Sequence, residues 1–147
     1  MIKLEISMHV SRPVAEVFEY LTDPTKMPEW NSTTEEATPS ESPVKVGTRI
    51  RSRVRGLGRK IEGTLEVVEY EPNKRFVLQG DEPFPIKGIY TFQAEDGGTR
   101  FVWAGEVVPG GFFKLGEPIL ARILKKQLQA QFETAKELLE AQVPAET

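Results

Sequence analysis

Very few side chains in this sequence are equipped to do chemistry, and their identities limit the reactions open to it. Among 147 residues there is a single histidine, His9, and no cysteine. Disulfides, thiolate metal sites and cysteine nucleophiles are thereby excluded. With one imidazole and no thiolate, a zinc or iron site would need an all-carboxylate shell, and the Asp and Glu residues show no clustered spacing that supplies one. No Gly-x-Ser-x-Gly elbow occurs, and Gly56-Leu57-Gly58 lacks the helix that follows a phosphate-binding loop. What remains is a set of rings and hydroxyls, Trp30, Ser52, Tyr90 and Trp103, and two amides, Gln127 and Gln131. A tyrosine can donate a proton or orient a carbonyl, but an inward tyrosine is more often a packing residue with its hydroxyl at a polar rim.

These groups must be held by the elements around them. After the joint Pro109-Gly110-Gly111, residues Leu120, Leu124, Leu128, Phe132, Ala135, Leu138 and Leu139 recur at three- and four-residue steps. Lys125, Lys126, Gln129, Glu133, Lys136, Glu137 and Glu140 fill the opposite side, which predicts one amphipathic helix running to about Ala141. Gln127 and Gln131 fall on or beside its buried stripe. A buried amide needs partners, and a ligand or water in a cavity between helix and sheet would supply them; at the edge of the stripe the amides would reach solvent instead.

The rest of the chain supplies the surface on which such a helix lies. Ile2, Leu4, Ile6, Met8 and Val10 alternate with polar residues and predict a half-buried strand, with His9 outward. Ser11 reads as an N-cap before Arg12 and Pro13, and Val14, Val17, Phe18 and Leu21 give one face of a helix ended by Asp23 and Pro24. A second short helix is expected from Thr25 to Trp30, then an irregular edge strand between Asn31 and Val46. Arg49, Arg51, Arg53 and Arg55 alternate along the next strand, which turns at Gly56 to Gly58 so that Arg53 meets Glu62, Arg49 meets Glu66, Val54 meets Ile61 and Ile50 meets Leu65. The arginine row is then charge-paired and needs no nucleic-acid partner. Phe76 and Leu78 lead a strand ending near Gly80. A last hairpin turns at Asp96 to Gly98, and a loop of Gly97 and Gly98 would set Ala94 against Phe101, Phe92 against Trp103, Tyr90 against Gly105 and Gly88 against Val107. Inward glycines at 63, 80, 88 and 105 then leave gaps for rings or a ligand.

A chain of this length folds as one domain with room for a core or a core with a cavity. Its net charge of −3 sets up no field that recruits nucleic acid. No apolar run is long enough to span a bilayer and the first ten residues form no signal-peptide core, so a cytoplasmic location without stable membrane insertion is expected. The oligomeric state is not legible.

The N-terminal run ending Ser11-Arg12-Pro13 with Val17 and Phe18, the segment Met27-Pro28-Glu29-Trp30, the Glu71-Pro72 turn before Arg75 and Phe76, and Gly98-Thr99-Arg100 followed by Trp103 together resemble the START-like (SRPBCC) superfamily, most of all its polyketide cyclase/dehydrase and lipid-transport type. The resemblance covers nearly the whole chain. It implies an α+β helix-grip fold over residues 1–142: a curved, seven-stranded antiparallel sheet around the long C-terminal helix, two short helices after the first strand, and a disordered tail at 143–147. It also implies an elongated cavity for an apolar small molecule. On that frame, Ile50, Ser52, Leu65, Phe76, Leu78, Tyr90, Phe92, Phe101 and Trp103 are expected on the sheet side and Leu120, Leu124, Gln127 and Gln131 on the helix side. Trp30, Phe84 and Phe112 are expected at a gated mouth, with Phe113 beside them. The expected function is to bind or carry a hydrophobic, lipid- or polyketide-like molecule without metal or cofactor. A cyclase/dehydratase-type enzyme acting by shape and a few polar groups is the alternative, and a protein-binding adaptor a third.

Overall fold

Period-two alternation in the first ten residues produces the strand it predicts. In the computed structural model, which describes residues 1–56, 58–81, 84–109 and 116–141, β1 (Ile2–Val10) buries Ile2, Leu4, Ile6 and Val10 while Lys3, Glu5 and Ser7 face out. Helix α1 (Val14–Thr22) follows, burying Val17, Phe18 and Leu21. Its start corrects the expected cap. Pro13, not Ser11, precedes the helix, and no side chain caps it because proline carries no side-chain acceptor; Pro13 O accepts from Glu16 N and Val17 N. The Ser11 N–H instead donates to Glu140 Oε2 at 2.8 Å. Asp23 ends α1 and caps a 3₁₀ turn (Pro24–Lys26), accepting from Thr25 N at 3.0 Å, and α2 (Met27–Trp30) continues from it.

Six further strands complete one antiparallel sheet: β2 (Thr34–Pro39), β3 (Arg49–Gly56), β4 (Arg59–Glu71), β5 (Arg75–Gly80), β6 (Ile86–Glu95) and β7 (Gly98–Val107), in the spatial order β1-β7-β6-β5-β4-β3-β2. The β3–β4 register is the one expected from a two-residue turn after Gly56, with Arg53 opposite Glu62 and Ile50 opposite Leu65. Arg53 reaches Glu62 and Glu36 at 3.8 and 3.7 Å, and Arg55 reaches Glu35 at 3.0 Å. The β6–β7 register differs from expectation by two residues. Asp96 and Gly97, both at positive φ (45° and 76°), form the two-residue turn, so Ala94 faces Thr99, Phe92 faces Phe101, Tyr90 faces Trp103 and Gly88 faces Gly105. A tight Asp-Gly turn matches the right-handed twist of a hairpin better than a Gly-Gly loop one residue later. A shift of two keeps every side chain on its expected face but brings two glycines together beside two large rings.

Helix α3 (Glu117–Glu140) lies on the concave face, against β1 and α2. Leu120, Gln131, Phe132, Ala135 and Leu139 are its buried residues. Leu138, expected on the buried stripe, is 39% exposed; its neighbour Leu139 takes the inward position. Lys136 Nζ donates to His9 O at 2.6 Å and pairs with Glu140 at 3.5 Å, so the end of α3 is latched to the end of β1. Residues 110–115, with the expected joint and Phe112 and Phe113, lie outside the described residues, as does the tail 143–147.

Candidate functional site

Strand alternation, two short helices and one face of α3 converge on a cavity of about 220 Å³. Its sheet wall is made by inward positions of successive strands: Ser52 and Val54 from β3, Ile61, Gly63 and Leu65 from β4, and Leu78 from β5. Ile86, Gly88 and Tyr90 from β6 and Trp103 from β7 extend that wall, and Phe84 closes it before β6. The opposite wall is Met27 and Trp30 of α2, the following Asn31 and Thr34, and Leu128 and Phe132 of α3. Apolar side chains dominate, interrupted by a few hydroxyls and the one amide of Asn31, which is the composition of a small-molecule site.

The glycines act differently from the simple gaps expected of them. The Trp103 indole folds back over Gly105, two residues along its own strand, and a Cβ at Gly105 would collide with the six-membered ring. A Cβ at Gly88 would lie 3.2 Å from Trp103 Nε1. Glycine at both positions therefore lets the ring lie flat on the sheet, leaving free space beyond it, where a β-carbon would push the ring into the cavity. At Gly80 there is no spare volume, since an added Cβ would meet Thr64 O at 2.7 Å and Leu65 Cδ2 at 3.0 Å. Gly63 does border the cavity.

Among the side chains singled out from the sequence, Trp30, Ser52, Leu65, Leu78, Phe84, Tyr90 and Trp103 meet around this space. Ile50, Phe76, Phe92, Phe101 and Leu120 do not line it. All five are buried, and among the rings Phe92 sits 5.1 Å from Phe18 and 5.2 Å from Phe101 between centroids. Parity alone placed them inside, and ring packing, which parity does not describe, closes the space around Phe92. Leu124 and Gln127, half-buried, and Gln131, buried, sit on α3 outside the cavity lining, and Phe112 lies outside the described residues. Leu128 and Phe132 line the cavity and were legible as stripe positions. Val54 and Ile61 were legible as an inward cross-strand pair. Asn31 and Thr34 carry no sequence signal that would have found them.

Tyr90 is 5% exposed, and burial pushes its hydroxyl well above the usual tyrosine range, a rise partly offset by a hydrogen bond from Trp103. It is therefore a proton-bearing donor at neutral pH, unsuited to act as a base. Gln131 is 4% exposed; its Nε2 donates to Thr33 Oγ1 at 3.3 Å, and its Oε1 has no partner. Trp30 stacks on Phe132 at 5.1 Å, and its Nε1 is likewise buried without a partner. No group of three or more His, Cys, Asp or Glu side chains that could hold a metal occurs among the described residues. No described helix is long and apolar enough to cross a membrane.

A family model described as polyketide cyclase/dehydrase and lipid transport matches residues 1–140. A search of curated proteins finds no sequence match. Solved structures share the fold at low identity. The di-domain ARO/CYC StfQ from the steffimycin biosynthetic pathway matches at TM-score 0.77 and 16% identity, over 95% of this chain and 50% of that one. TTHA0849 from Thermus thermophilus matches at 0.75 and 17%, over 95% and 97%. Ara h 8.0201 matches at 0.73 and 13%, over 95% and 98%.

Proposed function

From the premise that this chain belongs to the polyketide cyclase/dehydrase and lipid transport family, we propose that it binds or carries a compact apolar or amphipathic small molecule in the cavity between sheet and α3. The observation that carries this reading is a cavity of about 220 Å³ walled mostly by apolar side chains, with Thr34, Ser52, Thr64 and Tyr90 as its hydroxyl-bearing residues. An apolar cavity of roughly 150 Å³ stays dry and accepts benzene. By that measure the space here suits a bicyclic ring system, and it falls below the roughly 300–1,000 Å³ of sites for drug-sized ligands. The reading therefore favours a compact, polyketide-like ring compound over a long acyl chain. Trp30 and Phe84 both border the cavity, and of the expected gate they are the residues on which this reading draws.

The enzyme reading draws on one observation, the protonated Tyr90 hydroxyl among the lining residues, which could orient or protonate a carbonyl. No base or nucleophile with a shifted pKa accompanies it among the lining residues, so carriage is the stronger proposal. Both tryptophans of the chain line the cavity, which makes their indole N–H signals built-in reporters. Titration with naphthalene should move both indole signals saturably and give a 1:1 complex in native mass spectrometry. Unmoved signals with naphthalene and with a long-chain fatty acid would overturn the proposal. Ligand turnover abolished by Tyr90→Phe would replace it with the enzyme reading.

A further inference from the structure

The first half of α3 carries an outer face that the fold leaves open. Ile119, Arg122, Ile123 and Lys126 follow at three- and four-residue steps and so share one side of the helix, with Lys125 at its flank. Leu120, Leu124 and Leu128 already provide this stretch with its contact to the core. Ile119 and Ile123 are nonetheless 54% and 37% exposed. Single exposed apolar residues are ordinary on a protein surface, but four of the six large ones exposed among the described residues, Met1, Val108, Ile119 and Ile123, gather at this end of the molecule. The Met1 amino group pairs with Glu117 at 3.1 Å, and Met1 and Val108 border one surface cleft. The cations of this face are as unpartnered as its isoleucines. No acid stands three or four residues from Arg122, Lys125 or Lys126, and among the described residues no ion pair reaches them. Arg122 instead has Lys125 and Lys126 at those steps, where like charges repel. Nor do the three serve the helix dipole, which favours cations in the last turn, and the last turn of α3 holds none. A basic cluster kept against the preference of its own helix, beside isoleucines that bury against nothing, is matched to something outside the chain.

We propose that this face docks on an anionic lipid surface, with Ile119 and Ile123 entering the headgroup region and Arg122, Lys125 and Lys126 pairing with the lipid anions. Cations flanking apolar side chains on one helix face are the pattern of helices that lie in the plane of a membrane interface. The charge complementarity is local, because the chain as a whole carries −3. An aqueous polyanion would be held by the cations alone, whereas the isoleucines between them need an apolar phase beneath the charges, which a bilayer offers. Docking is peripheral, since no described helix is long and apolar enough to cross a membrane. The inference is independent of the carrier reading, because the same face docks whether or not the cavity is filled.

Co-sedimentation of the full chain with lipid vesicles tests this. The protein should pellet with vesicles of equal parts phosphatidylserine and phosphatidylcholine, stay in solution with phosphatidylcholine alone, and be released as salt rises. Arg122→Gln, Lys125→Gln and Lys126→Gln should each weaken binding about fivefold. Ile119→Ser combined with Ile123→Ser should weaken it about tenfold, and because both side chains are exposed the thermal melt should be unchanged. A control removes three exposed cations elsewhere, with Arg49→Gln, Arg51→Gln and Lys60→Gln on β3 and β4, and should leave vesicle binding as it is in the wild type. Equal losses in the control and in the α3 triple variant would reduce the attraction to net charge. Binding indifferent to the isoleucines would reduce it to a contact with any polyanion, and failure to pellet with either vesicle would remove the docking surface altogether. Self-association that the isoleucine changes abolish, without vesicle binding, would assign the face to a second copy of the chain. Each of these results would overturn the inference, and none of them bears on the carrier reading.

Discussion

The same sheet and the same helix enclose two unlike halves. Toward α1, Phe18, Tyr70, Phe76, Phe92 and Phe101 interlock, with Phe18 5.1 Å from Phe92 and 5.5 Å from Tyr70, and Phe92 5.2 Å from Phe101. Toward α2 the inward positions are Gly63, Gly88, Gly105, Ser52 and Thr34, and the large side chains stand at the border of an empty space. Phe132 belongs to both, 5.2 Å from Phe101 and 5.1 Å from Trp30. The difference teaches that hollowness here is a local choice of residue size at inward positions. The packed half supplies the burial that stabilises the domain, and the open half is free to be specialised for a ligand.

That division is broken most forcefully in the packed half. Phe101→Ala should cost about 3 to 5 kcal/mol in denaturant unfolding, since the ring is fully buried and its neighbours cannot all collapse. Added naphthalene should recover little of this loss; recovery equal to that of wild type in the open half would erase the distinction. Gly105→Ala comes next. Its β-carbon must displace the Trp103 ring into the cavity, which should cost about 1 to 3 kcal/mol of stability and most of the naphthalene affinity. Retained binding would mean that the indole has another resting place.

Smaller effects follow from titration. Burial, then the hydrogen bond to Glu29, raises the Tyr20 pKa, and burial raises that of Tyr90. A raised folded pKa means stability is fully present below the ordinary tyrosine value of 10.0 and declines as pH rises above it. Tyr90→Phe should therefore flatten the alkaline limb of the stability profile; an unchanged limb would show that Tyr90 is solvated. Glu140 is the opposite case and the weakest. The backbone N–H of Ser11, then Lys136, holds its carboxyl below the ordinary 4.5, so its contribution is present above that value and is lost as pH falls through its lower folded one. Glu140→Gln should trim the acid limb slightly, by an amount salt screens, and a salt-independent change would contradict the assignment.

The sequence made the faces legible and left the distribution of volume obscure. Strand parity put Leu78, Tyr90, Phe92, Phe101 and Trp103 inside, and a two-residue turn after Gly56 gave the β3–β4 register with its charge pairs. The β6–β7 register depended on which two of Asp96, Gly97 and Gly98 turn, a choice decided by backbone twist rather than by periodicity. Because Tyr90 faces Trp103 and Gly88 faces Gly105, the indole can lie over the glycine pair, and no period in the sequence reports that overlap. For the same reason Ile50, Phe76 and Phe92 looked equivalent to Leu78 as lining residues. Gln131 was legible as an amide on or beside the buried stripe, but its link to Thr33 required three dimensions.

The central claim is that the open half receives a compact ring ligand, and a crystal grown with 6-bromo-2-naphthol tests it most directly. The account predicts an anomalous bromine peak inside the cavity between Leu78, Tyr90, Trp103 and Phe132. A bromine peak confined to the protein surface, or an interior collapsed onto itself with no ligand density at millimolar concentration, would contradict it.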